Sequence, residues 1–516
     1  MRRFCSHGVG MVAGMRTPII ASSAAVFASL ALAPVAHAEP SPTGSTSPSS
    51  SPSSSPSAST SPSPSTSPTP ACTSTAPNDL NNDGQSDLVI AQPKAKVRGV
   101  QGAGAVDVRV SNGGSFRLTS ASVGAGDATS GLRFGQSAAI GDLNADCYAD
   151  LLIGVPRYNN STGRVVFVPG SANGVDLPGT KVISVDTAKT GDRFGHAVAI
   201  GNGTAFIGAP FTDDNTIKNS GRIYLMTQDA GTFSVVGTLA QGSGVVKDTP
   251  EAGDHYGKVL TFHDQTLAVG MPEENIDGAV DAGALHLTTV PKTDPTKPQS
   301  DVFVSQNSPG VPGGAEKDDH FGAAFDEQLL AVGIPGEDLK TVSNAGGIIT
   351  GIMSATTTQP AMRWVSQSSS GIPGKSKPGD KFGSALSSGR GLLCTGQTGI
   401  AVGIPHKRLG SKTNAGMVTV VSQQSTDCGS LRGRKYTQDS ADIAGKVVRG
   451  NRFGSAFVSL PGTEIDAVLA GVPGANLDDK KNTGRVVNAV NAPTTSLRAL
   501  GGLQAGTNYG NISTGR

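Results

Sequence analysis

The sequence predicts an all-β fold: a seven-bladed β-propeller of four-stranded antiparallel blades, its ring closed by pairing of the N- and C-terminal segments. Three observations carry this. A Phe/Tyr-Gly pair recurs at 134–135, 194–195, 256–257, 321–322, 382–383 and 453–454, spaced by 60, 62, 65, 61 and 71 residues. Each interval holds four short β-rich runs parted by turn residues, with no ten-residue helical period. The third observation concerns the ends. The first unit has an apolar run closing on Ala91-Gln92-Pro93 but no aromatic-glycine pair, whereas the C-terminus carries a lone Tyr509-Gly510. Side by side, the two ends make a seventh repeat. A lone four-stranded sheet is wet on both faces, so tandem sheets must stack, and a ring removes exposed ends.

The elements follow in chain order. Arg2, Arg3 and Arg16 precede an apolar run from Pro18 to Val35, and Ala36-His37-Ala38 offers a small-x-small cleavage site. Residues 1–38 are expected to be a secretory signal peptide, leaving no membrane span in the mature chain. Residues 39–75 are almost wholly Ser, Pro and Thr. They cannot bury enough apolar surface to offset ordering entropy and are expected to be a disordered, O-glycosylated spacer. The propeller is assigned to 76–516.

Inside a repeat, the aromatic of the pair is expected to fill the space between adjacent sheets. A second element, an apolar run ending in Gly-x-Pro, recurs at 154–156, 208–210, 270–272, 333–335, 403–405 and 471–473. There glycine suits a crowded inner strand, and proline a strand end where no ladder donor is missed. A third element is a glycine opening a β-branched run, as at Gly163-Arg164-Val165-Val166.

With 41 Lys+Arg against 40 Asp+Glu, the chain lacks the excess positive charge of a nucleic-acid binder or polybasic membrane-surface protein. Cleavage after Ala38 removes Cys5 and leaves Cys72, Cys147, Cys394 and Cys428, an even set suited to two disulfides outside the cytoplasm. Four cysteines allow three connectivities. Cys394–Cys428 is favoured because both fall in one repeat, which leaves Cys72–Cys147 between neighbours.

Two loops have the spacing of a hard-cation site. Asp79, Asn81, Asp83 and Asp87 place oxygens at positions 1, 3, 5 and 9, Gly84 makes the sharp turn, and Gln85 offers its carbonyl. Asp142, Asn144, Asp146, Tyr148 and Asp150 repeat the spacing, with Cys147 in place of the glycine. Unit charges ~4 Å apart repel by about 4 kcal/mol at an effective dielectric near 20, so the loops are expected to hold structural Ca²⁺, about two ions in all.

These motifs resemble the FG-GAP repeat family, the seven-bladed propeller of integrin α-subunit heads, of part of glycosylphosphatidylinositol-specific phospholipase D and of many secreted bacterial proteins. The resemblance spans 79–510 and departs at Ala91, where the other repeats have glycine. A metal loop leading directly into a strand, as Asp87 does, matches the family's version. The resemblance also implies that loops after Gly-x-Pro form a ligand face opposite the metal loops. Candidates there are Arg157, Tyr158, Phe211, Asp213, Asp214, His406, Lys407 and Arg408, with Glu273, Glu274, Glu337, Asp338, Asp478 and Asp479 as rim acids.

No catalytic motif is present: there is no Gly-x-Ser-x-Gly, His-Glu-x-x-His or phosphate-cradling loop. His255 and His320 fill a position that is Arg193, Lys381 or Arg452 elsewhere, which suits a solvated repeat position better than a catalytic base. The expected function is a secreted, monomeric, calcium-stabilised module binding an extracellular protein or glycan, without nucleic acid and without catalysis. Two alternatives stand beside it: a secreted hydrolase, phospholipase-D-like or glycan-directed, and a structural surface component.

Overall fold

A computed structural model describes residues 76 and 78–514, apart from 352–361, 423–430, 442, 463–464, 477–483 and 492–511. The signal peptide, the spacer, Cys72, Cys428, Asp478, Asp479 and Tyr509-Gly510 lie outside the described residues. Seven antiparallel sheets follow one another along the chain and form a β-propeller. The third, for example, orders Ala197–Gly201, Thr204–Ala209, Arg222–Asp229 and Thr232–Leu239 as sequential neighbours. The first (Leu88–Gln92, Ala105–Arg109, Ser115–Leu118) and the last (Phe457–Leu460, Ala467–Val472, Arg485–Val490) have three strands each among the described residues.

The aromatic-glycine pair is the stitch between sheets. Phe134, Phe194, Tyr256, Phe321, Phe382 and Phe453 are all fully buried. The Phe194 N–H donates to Thr162 O of the preceding sheet at 3.0 Å, while the Gly195 N–H donates to Gly208 O of its own sheet at 3.0 Å. One dipeptide therefore bonds both sides of a seam. The glycine of Gly-x-Pro completes the contact from the other direction. A Cβ added at Gly208 would lie 2.0 Å from Gly257 O, and one at Gly333 would lie 2.1 Å from Gly383 O. Backbone packs on backbone there, with no room for a side chain.

The first repeat also differs at the middle position, where Gln92 stands in place of the apolar residue found in the other repeats. Gln92 is buried and its Nε2 donates to Asp107 Oδ2 at 2.5 Å, while Arg117 pairs with Asp107 at 2.9 Å. This first sheet is tied by a polar cluster that the other Gly-x-Pro sites lack.

Ring closure differs from the expected pairing in its partner. The C-terminal strand Ile512–Thr514 lies parallel beside Ala138–Gly141, the innermost strand of the second sheet, with Ile512 opposite Ala138 and Thr514 opposite Ile140. A segment following an aromatic-glycine pair runs in the same sense as every other innermost strand. Beside one of them it can only pair in parallel.

Candidate functional site

The two predicted metal loops are matched turns on neighbouring sheets, the first leading into Leu88–Gln92 and the second joining Ala138–Gly141 to Asp150–Gly154. In the first, Asp79 accepts the N–H groups of Asp83 (3.1 Å) and Gly84 (2.8 Å), and Asp83 accepts that of Gln85 (2.9 Å). Asp87 is buried and accepts from Leu80 and Ser111, each at 2.8 Å. In the second, Asp142 accepts from Ala145 (2.7 Å) and Cys147 (3.1 Å), and Asp146 accepts from Tyr148 (2.9 Å). Asp150 accepts from Leu143 (2.8 Å) and Gly170 (3.0 Å). The sharp turn has φ +84° at Gly84 and +74° at Cys147, so the cysteine adopts the left-handed conformation that glycine takes elsewhere.

The carboxylates converge at an electrostatic cost. Burial pushes the Asp150 carboxyl up to about 7, with Asp146 and Asp142 adding to the rise, and burial also raises Asp87. In the first loop, Asn81 Nδ2 donates to Asp83 at 2.9 Å while its buried Oδ1 has no partner. A buried amide oxygen left over among carboxylates fits a hard cation. The loops also brace each other: the Ala149 N–H donates to Asp79 O at 3.0 Å. Cys147 and Cys394 are not free thiols.

On the opposite end, the loops after Gly-x-Pro are rigid. Asp213, Asn275 and Asp338 each accept the backbone N–H of the residue six positions later, at 3.0, 3.1 and 2.6 Å. Arg157 and Tyr158 are exposed, and the loop continues through three left-handed residues, Asn159, Asn160 and Ser161. Arg164 covers the Tyr158 ring at 3.4 Å, and Arg193 covers Phe211 at 3.8 Å. Phe211 is half-buried against His255, 4.5 Å between ring centroids. Asp213 is paired with Lys218 (2.5 Å) and Asp214 lies 3.8 Å from Arg222. His406 is half-buried and Arg408 exposed.

Two expectations for this face need correction. Lys407 is not presented to a ligand: its Nζ is buried and donates to Gln367 Oε1 (2.6 Å), Lys375 O (2.6 Å) and Asp380 Oδ2 (2.5 Å), tying two sheets together. Glu274 is no solvated rim acid. It is buried beside Asp254 and Glu251, and the three carboxylates lie within 4.8 Å of one another. Burial, reinforced by Asp254, Asp248 and Glu251, pushes Glu274 up to about 9, and burial pushes Asp254 up to about 6. Glu274 is thus a neutral acid at pH 7.

This has a measurable consequence. The folded Glu274 keeps its proton between pH 4.5 and about 9, where the unfolded one has lost it. The stability it gives is therefore full below the unfolded value and is lost as pH rises toward 9. Glu274→Gln should remove that slope, raising stability at pH 9 by about 1–3 kcal/mol and changing little at pH 5. Parallel chemical melts of both proteins across pH 5–9 check it; identical slopes would refute it.

A buried histidine escaped sequence reasoning. His286 sits between Asp301 (2.5 Å at Nδ1) and Asp248 (3.3 Å at Nε2). Burial opposes its charge, but the hydrogen bonds of Asp248 and Asp301 prevail and raise it to about 9. It is a held cation. Only the spacing of Asp248, a repeat-linking residue, from a strand histidine could have hinted at this.

Comparison with known proteins agrees with this geometry. FG-GAP repeat models match residues 134–168 and 180–226. Integrin alpha-6 of Gallus gallus is 31% identical over 128 residues, 23% of this chain and 11% of that protein. Integrin alpha-7 of Mus musculus is 36% identical over 111 residues, 21% of this chain and 9% of that protein. The matched region thus spans about a tenth of the length of these relatives. A periplasmic gluconolactonase from Pseudomonas aeruginosa overlays with a TM-score of 0.38 at 11% identity, covering 82% of this chain and 98% of that one, a likeness too distant to bear on chemistry. Among the described residues no helix is long and apolar enough to cross a membrane. Repeat matches, integrin relatives and seven successive sheets together support an FG-GAP, integrin-like β-propeller.

Proposed function

We propose that the chain is a secreted, calcium-stabilised, non-catalytic module that binds an extracellular protein or glycan through the loops after Gly-x-Pro. The observation that carries the reading is the loop of Arg157 and Tyr158, both exposed at one end of an integrin-like propeller, where the Tyr158 N–H donates to Val155 O at 3.2 Å, the Gly163 N–H donates to Tyr158 O at 3.1 Å and Arg164 covers the Tyr158 ring. Ordering entropy is already spent there, which favours recognition. Residues 1–38 serve export and 39–75 act as a spacer. Cys72–Cys147 and Cys394–Cys428 form the disulfides, the first fixing the second metal loop to the start of the fold. Binding of the labelled chain to extracellular proteins and glycans should weaken at least about tenfold in Tyr158→Ala, given the weight of aromatic anchors. A variant that binds every ligand like the parent would refute the reading, and turnover of an ester or glycosidic substrate would favour the hydrolase alternative.

Calcium enters as a structural ion in the two turns, where Asp79, Asn81, Asp83 and Asp87 would hold one and Asp142, Asn144, Asp146 and Asp150 the other. The ion supplies positive charge that relieves carboxylate repulsion and fixes the turn. Chelation should cost about 2–3 kcal/mol, the linkage expected of a ligand at ~100 times its Kd. Adding Ca²⁺ back should restore the melting temperature, and Asp83→Ala should halve the difference. A melt unchanged by chelator would exclude the ion.

A further inference from the structure

The residue before each described aromatic-glycine pair is basic: Arg133, Arg193, His255, His320, Lys381 and Arg452. All six have φ between +53° and +58°. Their backbone N–H groups donate to the same place in the preceding sheet, as Arg133 does to Gly102 O (3.0 Å) and Lys381 to Asn344 O (3.2 Å). One conformation at one register position sets six side chains at equivalent points around the axis, where the chain enters each innermost strand. In a linear repeat these residues are scattered; in a closed ring they form a circle.

A second set thickens it. Lys94 and Arg157 follow the prolines of their repeats and Lys258 follows the glycine of the pair, while His406 and His196 stand in the same two positions as imidazoles whose charge burial disfavours. Of the described residues in these three positions, only Glu273 is acidic, and it is engaged by Lys258 and lies 3.8 Å from His255. Among the described residues Lys94, Arg133, Arg157, Arg193, Lys381 and Arg452 form no salt bridge. The positive charges are felt at close range: beyond burial, Arg157 and Arg133 depress Arg193, Arg133 and Arg452 depress Lys94, and Arg452 and Lys381 disfavour the charged form of His406.

A near-neutral chain that gathers unpaired cations around one axial mouth has built a counter-charge site. A circle suits a compact anion shared by several guanidinium and ammonium groups, whereas an extended polyanion needs a stripe. We infer that this mouth binds a compact anion carrying two or more phosphate or sulfate groups, centred on the Arg452–Arg133–Arg193 side, away from Glu273. The inference rests on the binding-module reading and gives it a ligand chemistry.

Calorimetric titration of the full chain tests it, with tripolyphosphate in one arm and a sulfated disaccharide in the other; the arm that binds identifies the source. Binding should weaken with salt and fall about tenfold or more in Arg133→Gln/Arg193→Gln, which removes two charge-assisted contacts. Lys181→Gln, on an exposed outer strand, should match the parent. Should the double variant fold poorly, exposed Arg452→Gln supplies the same readout with a smaller loss. Failure of both anions to bind at low salt would overturn the inference, as would an equal loss in Lys181→Gln or equally tight binding of a long single-stranded oligonucleotide. A chain that ignores both anions yet still captures a protein or glycan through Tyr158 sinks this inference alone and leaves the module reading standing.

Discussion

Replacing Gly221 by alanine is expected to destabilise the folded chain by about 3–5 kcal/mol, or to prevent folding. Two penalties combine at this residue. Its φ of +90° belongs to the left-handed side, where a Cβ costs roughly 1–2 kcal/mol. The added Cβ would also lie 2.3 Å from Tyr256 O and 2.4 Å from Tyr256 N. Those atoms are backbone, and the Tyr256 N–H already donates to Ser220 O at 2.8 Å, so neither can retreat without opening the seam. Gly163, Gly283, Gly346 and Gly416 meet Phe194, Phe321, Phe382 and Phe453 in the same way. Denaturant unfolding of Gly221→Ala beside an alanine substitution at Gly231, where the nearest heavy atom is 3.7 Å away, separates the penalties. Equal losses would mean that backbone conformation, not the close approach, dominates.

Lys407→Ala is expected to cost about 3–5 kcal/mol, because it leaves Asp380 charged, buried and deprived of its cation. The double variant Lys407→Met/Asp380→Asn should recover most of the loss, since an apolar stem and a neutral amide remove the stranded charge along with its partner. Burial depresses the Lys407 ammonium while Asp380 supports it. Equilibrium unfolding of the parent and both variants forms the check. A single variant within about 0.5 kcal/mol of the parent, the range of an ordinary surface change, would show that Lys407 is not the tie described.

The sequence made the architecture legible because the seam has a chemical alphabet of its own. Only an aromatic fills the gap between sheets, and only glycine permits backbone contact, so six buried aromatics could be named from spacing alone. The loop carboxylates were legible for a similar reason: their positions are fixed by a turn nine residues long. What escaped depends on partners 20 to 40 residues away. Lys407 looked like a surface cation until Gln367 and Asp380, from the preceding repeat, were placed on it. Glu274 resembled rim charge until Asp254 lay beside it. The C-terminal strand was expected to pair with the first unit and lies instead beside Ala138–Gly141 of the second sheet, a neighbour set by direction rather than composition.

Because Phe194 bonds backward to Thr162 while Gly195 bonds to Gly208 of its own sheet, each sequence period holds one whole sheet yet opens on a clasp that reaches into the sheet before it. A recombination cut at the start of a period keeps the sheet whole but severs it from its neighbour's glue. Such a disc grows or shrinks in evolution only by whole interlocked steps, like links in a bracelet whose clasp belongs half to each link.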